Sequence, residues 1–355
     1  MIRTKIAGIG KYLPKKVVKN QDLEKVMETS DEWIQERTGI QERRYGRKHE
    51  ETTTTMGARA AELAIERAGI QKEDVDFIIF ATLSPDYYFP GCGVLVQREL
   101  GITNTEVGAL DIRNQCSGFV YGLSIADQFI KSGMYKNILL IGAEMHSMGL
   151  DFTTRGRNVT VIFGDGAGAV VLQPTEKEGQ GILSTKLHSD GTYAEKLAFI
   201  NPGCHGGYHT KHQEEEVDYG YPDVEYGEMF VTQHMMDNAQ LFPDMEGQFV
   251  FKMAVQKFPE VIMETLQDAG LQPTDINMMV PHQANLRISQ FVQKRMGLRD
   301  DQVWNNIQKY GNTTAASVPI ALCEAWEAGA VKDGDLVSLA AFGSGFTWGA
   351  ALLRW

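Results

Sequence analysis

Cys116, His282 and Asn312 are the residues of this 355-residue chain whose types and settings could do chemistry. Cys116 lies in DIRNQCSGFVYGL (111–123), where a strand pattern ends and a long apolar helix begins. A helix N-terminus presents unpaired N–H groups and the positive end of a dipole. A thiol there is expected to have a lowered pKa and to act as a nucleophile. Gly118 would let a substrate or another backbone come close. A buried packing cysteine is the plainer alternative. His282, in VPHQANLRIS, follows a strand and opens a helix, beyond a strand carboxyl end where α/β sites form. A structural histidine would look the same. Asn312, in KYGNTTAASVPIAL, sits in a glycine-led turn entering a helix, where a simple cap is its ordinary role. Taken together, a cysteine, a histidine and an asparagine are a known catalytic set.

The elements that must bring these residues together alternate in period from end to end. TTTTMGARAAELAIERAGI predicts a capped helix stopped by Gly69. VDFIIFATLS, VGALDIR, NILLIGAE and VTVIFGDGAGAVVL predict strands, with CSGFVYGLSIADQFIKSG a helix among them. In the second half VIMETLQDAGL and NLRISQFVQKRMG predict helices, INMMVP a strand, and DLVSLAAFGSGFTWGAALLRW a closing strand pair. The alternation predicts an α/β fold with mostly parallel, buried sheets. Three pairs of words recur in the same order: AGIQKEDVDFIIF with AGLQPTDINMMVP, KSGMYKNILLIGAE with EAGAVKDGDLVSLAAF, and FGDGAGAVVL with FGSGFTWGAALL. A duplicated chain gives such pairs. The joint falls at PTEKEGQG, dividing 1–174, with Cys116, from 175–355, with His282 and Asn312. Residues 201–247, rich in Gly, Pro, Tyr and acids, break the rhythm. So long a patternless segment is functional or disordered, and its aromatics argue against disorder.

Charge narrows the function classes. A net charge of −12 argues against nucleic-acid binding, which needs a basic surface. No apolar run approaches the roughly 20 residues of a membrane span. The N-terminal MIRTKIAGIGKYLPKK does not read as a signal peptide, so the protein is expected to be cytoplasmic. Its four cysteines, Cys92, Cys116, Cys204 and Cys323, form no CxxC pair and should be free thiols. Gly164, Gly166 and Gly168 lack the GK[ST] and following helix of a phosphate loop. Cys204, His205, His209 and His212 have spacing that permits zinc, with a surface loop as the ordinary alternative.

The words IAGIGKYLP, TSDEWIQERTGIQER, the Cys116 segment, VIFGDGAGAVVL, VPHQANLRIS, YGNTTAASVP and AFGSGFTWGAALLRW run nearly from end to end. In them the chain resembles the β-ketoacyl-ACP synthase III enzymes of the thiolase superfamily. The resemblance implies an α/β, thiolase-like five-layered αβαβα fold from two duplicated halves, and a homodimer. It implies a decarboxylative Claisen condensation: Cys116 takes an acyl group from acyl-CoA, and malonyl-ACP supplies the extender. His282 and Asn312 would hydrogen-bond the malonyl thioester oxygen. The backbone N–H groups of Cys116 and Ser344 would form the acyl oxyanion hole. Ser344 stands where the family usually has Gly, which narrows the loop's allowed angles. Trp33, Arg37, Arg157 and Asn285 match positions that hold CoA, with Arg155 a neighbouring competitor of Arg157. Phe89 matches a residue that enters the partner subunit's acyl pocket. Lys252, Arg287, Lys294 and Arg295 match the basic surface that meets acyl carrier protein. No metal or other cofactor is implied. Residues 201–247 look like an insertion, expected to be a lid over the acyl tunnel because of Tyr208, Tyr219, Tyr221, Tyr226, Phe230 and Phe242. Three other readings remain at this stage. One is an acyltransferase with another acceptor, or a hydrolase. Another is a non-decarboxylative condensation, which needs a carboxylate near the cysteine that Gln115 does not supply, though a Glu from the 201–247 insertion could. The last is a non-catalytic partner subunit, whose mark would be loss of one of the three residues.

Overall fold

Two mixed sheets hold the chain together. The computed structural model describes residues 2–203, 231 and 233–355, with the backbone alone at 233 and 234. The first sheet runs, in spatial order, Arg3–Tyr12, Gly166–Thr175, Ile138–Glu144, Phe77–Ala81, Gly108–Ile112. The second runs Met278–Pro281, Leu336–Gly343, Thr347–Arg354, Gly181–Ser189. Within the first, Phe77–Ala81 is parallel to Ile138–Glu144, and the next two pairings are antiparallel. The second sheet repeats that sequence of one parallel and two antiparallel pairings. The parallel strand Gly108–Ile112 is echoed there by a single parallel bridge between Met279 and Val303. The sheets are therefore not mostly parallel. Only residues 344–346 join the last two strands, and so short a connection can link only antiparallel neighbours.

Helices Gly118–Lys131 and Ser317–Glu327 lie between the sheets. Phe119, Val120, Leu123, Val318 and Leu322 pack there with Ile79, Leu140, Val280 and Leu339 in one buried core. Thr53–Ala68 and Cys92–Glu99 cover the outer face of the first sheet. Gly247–Asp268 and Leu286–Met296 cover that of the second. The result is helix, sheet, helix, sheet, helix. Each large apolar side chain buried this way stabilises by about 1.5–3 kcal/mol, so the shared central layer fixes one sheet against the other.

Local chemistry sets the element ends. Thr52 caps Thr53–Ala68 through the N–H of Thr55, and Gly69 ends the helix in the left-handed region at φ 68°. Two expected elements differ. Residues 157–160 form a short helix, and the strand expected from Val159 begins only at Gly166. The second-half helix starts at Gly247 rather than Val261, so the irregular stretch ends in ordered structure. Asp244–Met245 pairs there with Leu197–Ala198. Residues 204–230 and 232, with Cys204, His205, His209, His212 and the lid aromatics Tyr208, Tyr219, Tyr221, Tyr226 and Phe230, lie outside the described residues.

Candidate active site

Two matching turns meet between the sheets. Gln115–Ser117 is a tight 3-10 turn leading into Gly118–Lys131, and Thr314–Ala316 is its counterpart leading into Ser317–Glu327. Gln115 at φ 47° and Thr314 at φ 44° both sit in the left-handed region, which costs a non-glycine residue of order 1–3 kcal/mol. Cys116, in the first of these turns, is buried. The carbonyl of Ala315 would lie 2.4 Å from a Cβ at Gly142, so glycine is needed for the turn to come this close. Gly343, ending strand Leu336–Gly343, does the same for the nucleophile: a Cβ there would meet Cys116 Cβ at 2.7 Å and Sγ at 3.1 Å.

Cys116, His282 and Asn312 all line one cavity of about 630 Å³. Cys116 is buried, and burial pushes its thiol up to about 12, with the charge of Glu144 acting in the same sense. The N–H groups of Cys116 and Ser344 pull the other way. The lowered thiol pKa expected from the helix terminus is thus not found. Cys116 precedes the helix proper, and desolvation outweighs the amides. His282 follows strand Met278–Pro281. Its Nδ1 is 2.5 Å from Ser317 Oγ, its Nε2 has no partner among the described residues, and burial lowers it to about 3, a neutral imidazole. Asn312 is held by backbone bonds to Ile162 and Gly164 beside Phe163. Its Oδ1 accepts the N–H of Thr314 at 2.8 Å, which leaves its Nδ2 as the group to offer a ligand. All three residues are close-packed inside the fold, and their unused donors share one space.

The far end of the cavity is basic and aromatic. Trp33 and Arg37 lie on helix Asp31–Thr38, capped by Ser30. The Arg37 guanidinium is 4.4 Å from the Trp33 ring centroid and that of Arg157 is 5.2 Å from it. Arg155 instead pairs with Asp151 at 2.7 Å and lies over Phe242, which separates the two competing arginines. Asn285 caps Leu286–Met296 through the N–H of Arg287 and donates to the Arg37 carbonyl at 2.8 Å, so its side chain clamps two walls of the mouth together. Met245 and Gly247 line the same cavity, placing the end of the irregular stretch at the site. Lys252, Arg287, Lys294 and Arg295 are exposed, with Phe291 exposed among them on the Leu286–Met296 helix.

Phe89 does not line this cavity. It stands 81% exposed, beside exposed Tyr87 and Tyr88. Carboxylates pin its loop. Glu144 accepts from Thr82, Leu83 and Ser84, Asp86 accepts from Thr52 Oγ1, and Asp111 accepts the N–H groups of Cys92 and Gly93. Neither Glu144 nor Ser317 is among the candidate residues that the sequence motifs mark. Glu144 had a legible signal, a carboxylate closing the otherwise apolar strand ILLIGAE. Ser317 had none beyond its place after Asn312. Among the described residues no cluster of His, Cys, Asp and Glu could hold a metal, and no helix is long and apolar enough to cross a membrane.

Models of known families match two stretches. Residues 110–191 match 3-oxoacyl-[acyl-carrier-protein] synthase III, and residues 266–355 match its C-terminal part. The chain is 44% identical to a β-ketoacyl-[acyl-carrier-protein] synthase III of Brucella suis over the full length of both. It is 42% identical to one of Sulfurovum sp. over 98% of this chain and 94% of that one. A crystal structure of 3-oxoacyl-[acyl-carrier-protein] synthase III from Aquifex aeolicus VF5 superposes with a TM-score of 0.85 at 43% identity, covering 99% of this chain and all of that one. The duplicated five-layer fold, the converging Cys116, His282 and Asn312, and likeness over the whole length lead to one assignment: the chain belongs to the β-ketoacyl-[acyl-carrier-protein] synthase III family.

Proposed function

We propose that Cys116, His282 and Asn312 carry the family's initiating condensation, joining an acyl-CoA to malonyl-ACP to give 3-oxoacyl-ACP, CoA and CO2. The observation that carries this reading is their common cavity, which reaches from the buried thiol to Trp33 and Arg37. Acyl-CoA enters with its nucleotide against Trp33, Arg37 and Arg157, where an aromatic face and guanidinium groups suit base and phosphates. The Cys116 sulfur attacks the thioester, whose oxygen is received by the N–H groups of Cys116 and Ser344. CoA leaves as the thiol. Malonyl-ACP then places its thioester oxygen against His282 Nε2 and Asn312 Nδ2. Preorganised donors at a developing oxyanion are worth about 3 kcal/mol each, so loss of CO2 yields a stabilised enolate. The enolate carbon attacks the acyl-cysteine and regenerates the thiolate, which recovers a proton. Two modest barriers replace one large one.

The side chains present are sufficient for this chemistry, and the reading includes no metal or organic cofactor. The acidic carrier docks on Lys252, Arg287, Lys294 and Arg295, around Phe291. Charge of opposite sign on an otherwise acidic protein orients it. A second copy covers Tyr87, Tyr88 and Phe89, forming a homodimer in which Phe89 enters the partner's acyl pocket. Free, buried Cys92, Cys116 and Cys323 suit the cytoplasm. The non-decarboxylative variant finds less support. Among the described residues, Glu144 is the carboxylate whose charge bears on Cys116, and it is fully buried and does not line the cavity. The test is to supply acyl-CoA and malonyl-ACP and follow CO2 and 3-oxoacyl-ACP in parallel. Equal yields, both abolished in His282→Ala while acyl transfer to the enzyme persists, are expected. Free acid without CO2 would make the protein a hydrolase instead.

A further inference from the structure

Ser117 stands where a serine ordinarily caps a helix, at the N-terminus of Gly118–Lys131, yet its side chain makes no capping bond to that helix. The buried Oγ is instead 2.8 Å from the Asn114 carbonyl and 2.7 Å from Thr347 Oγ1. Thr347 opens the last strand, and its hydroxyl is in turn 3.1 Å from the Ser344 carbonyl. Two hydroxyl protons thus face three contacts. A separation of 2.7 Å is that of a made O–H···O bond, so one proton lies between the hydroxyls. The other goes to one of the carbonyls. Both orders, Thr347 to Ser117 to Asn114 and Ser117 to Thr347 to Ser344, tie the turn of Cys116 to the loop of Ser344. Those stretches carry the N–H groups of Cys116 and Ser344. They meet at Gly343, where a Cβ would come within 3.2 Å of Cys116 N. Asp190 holds the far end of the loop by exchanging backbone bonds with Phe346 at 2.7 and 2.8 Å. Ser344 lies between these anchors, with the Thr347 hydroxyl at its carbonyl.

We infer that Ser117 and Thr347 are positioning residues for acyl transfer, their paired hydroxyls setting the separation of the two amides that receive the thioester oxygen. This rests on the acyl-transfer reading of Cys116 above. Neither Ser117 nor Thr347 lines the cavity, so they act through the amides rather than on the substrate. An oxyanion hole works because its donors are in place before charge develops, and a backbone amide is placed only as well as the chain that carries it. Here the two amides come from different sheets. Cys116 follows Gly108–Ile112 of the first, and Ser344 follows Leu336–Gly343 of the second. Neither sheet alone fixes their spacing, and a short bond across the gap does. A merely structural clasp would change stability and leave the bound carbonyl as it was.

The test is the infrared stretch of the acyl-enzyme carbonyl. The whole protein is loaded with acyl-CoA isotope-labelled at the carbonyl carbon, as wild type, Thr347→Val, Thr347→Ser and Ser117→Ala. Hydrogen bonds to a carbonyl oxygen lower its stretching frequency, so the band reads the two amides directly. Thr347→Val keeps the shape and drops the hydroxyl, while Ser117 still has the Asn114 carbonyl to bond. Its band should move to higher frequency. Its single-turnover acylation should slow about tenfold, the worth of one hydrogen bond weakened at the transition state, with the dependence on acyl-CoA concentration unchanged. Thr347→Ser should return both readouts to wild type. Ser117→Ala breaks the same link from the other side and should shift the band alike, which decides the matter should Thr347→Val not fold. A band at the wild-type position in folded Thr347→Val or Ser117→Ala would make the pair a structural clasp and overturn the inference. Absence of an acyl adduct on wild type with any acyl-CoA would instead overturn the acyl-transfer reading on which it rests.

Discussion

Ser317 offers a sharp probe of how His282 works. Its hydroxyl has one proton and two acceptors in reach, His282 Nδ1 at 2.5 Å and the Thr314 carbonyl at 2.8 Å. Donation to Nδ1 places the imidazole's single proton on Nε2, the tautomer able to donate to an enolate oxygen. Ser317→Ala removes that bias and leaves a buried ring nitrogen without a partner, a cost of about 1–3 kcal/mol. Placed wholly on the condensation transition state, this slows the malonyl step by about 5- to 150-fold. Acylation relies on the backbone N–H groups of Cys116 and Ser344 and should stay near the wild-type rate. Stopped acyl transfer read by protein mass gives the first step, and CO2 release from malonyl-ACP by pre-acylated enzyme gives the second. Ser317→Thr keeps the hydroxyl and should restore most of the second rate. Equal slowing of both steps, or a wild-type condensation rate in Ser317→Ala, would refute the tautomer argument.

Three further expectations follow from the geometry. Gly343→Ala places a methyl 2.7 Å from Cys116 Cβ; overpacking of about 1–3 kcal/mol should slow acylation strongly, and an unchanged single-turnover rate would contradict that close approach. Trp33→Ala should raise the KM for acyl-CoA about tenfold, the worth of one base stack, while discharge by malonyl-ACP is unchanged; a matched loss in both steps would count against nucleotide stacking. Burial lowers His146 to about 4 and His282 to about 3, whereas the unfolded chain protonates near 6.5. The unfolded state then binds more protons below pH 6.5, so these groups cost stability as pH falls, about 2 kcal/mol for His146 alone by pH 5. Asp165, raised by burial to about 6, acts oppositely, favouring the fold at low pH and losing that as pH rises through 6. His146→Phe should therefore lose less Tm between pH 7 and pH 5 than wild type, and equal losses would contradict this sign.

Much of the framework was legible because it depends on local period and punctuation. Thr52 and Gly69 bracket a helix whose ends the sequence marks, and ILLIGAE and DLVSLAAFG can only be buried strands. Sheet direction was less legible. Apolar runs announce burial on both faces, but the antiparallel return of Thr347–Arg354 follows from the shortness of residues 344–346. The site divides the same way. Cys116, His282 and Asn312 stand in words with strong turn chemistry. The thiol's raised pKa comes first from burial and then from Glu144, and both arise only once the fold is formed. The apolar residues around Val159 favour a strand, yet the turn at Gly156 and the hydrogen bond from Thr160 Oγ1 to the Asp151 carbonyl wind that stretch into a helix.

The most direct test of the central claim is intact-protein mass after mixing with a panel of acyl-CoAs, then with malonyl-ACP, beside Cys116→Ser. The account predicts an acyl adduct on wild type alone, discharged by malonyl-ACP as 3-oxoacyl-ACP, with the most efficient donor giving the chain length. An adduct of equal yield on Cys116→Ser, or one that malonyl-ACP leaves in place, would contradict it.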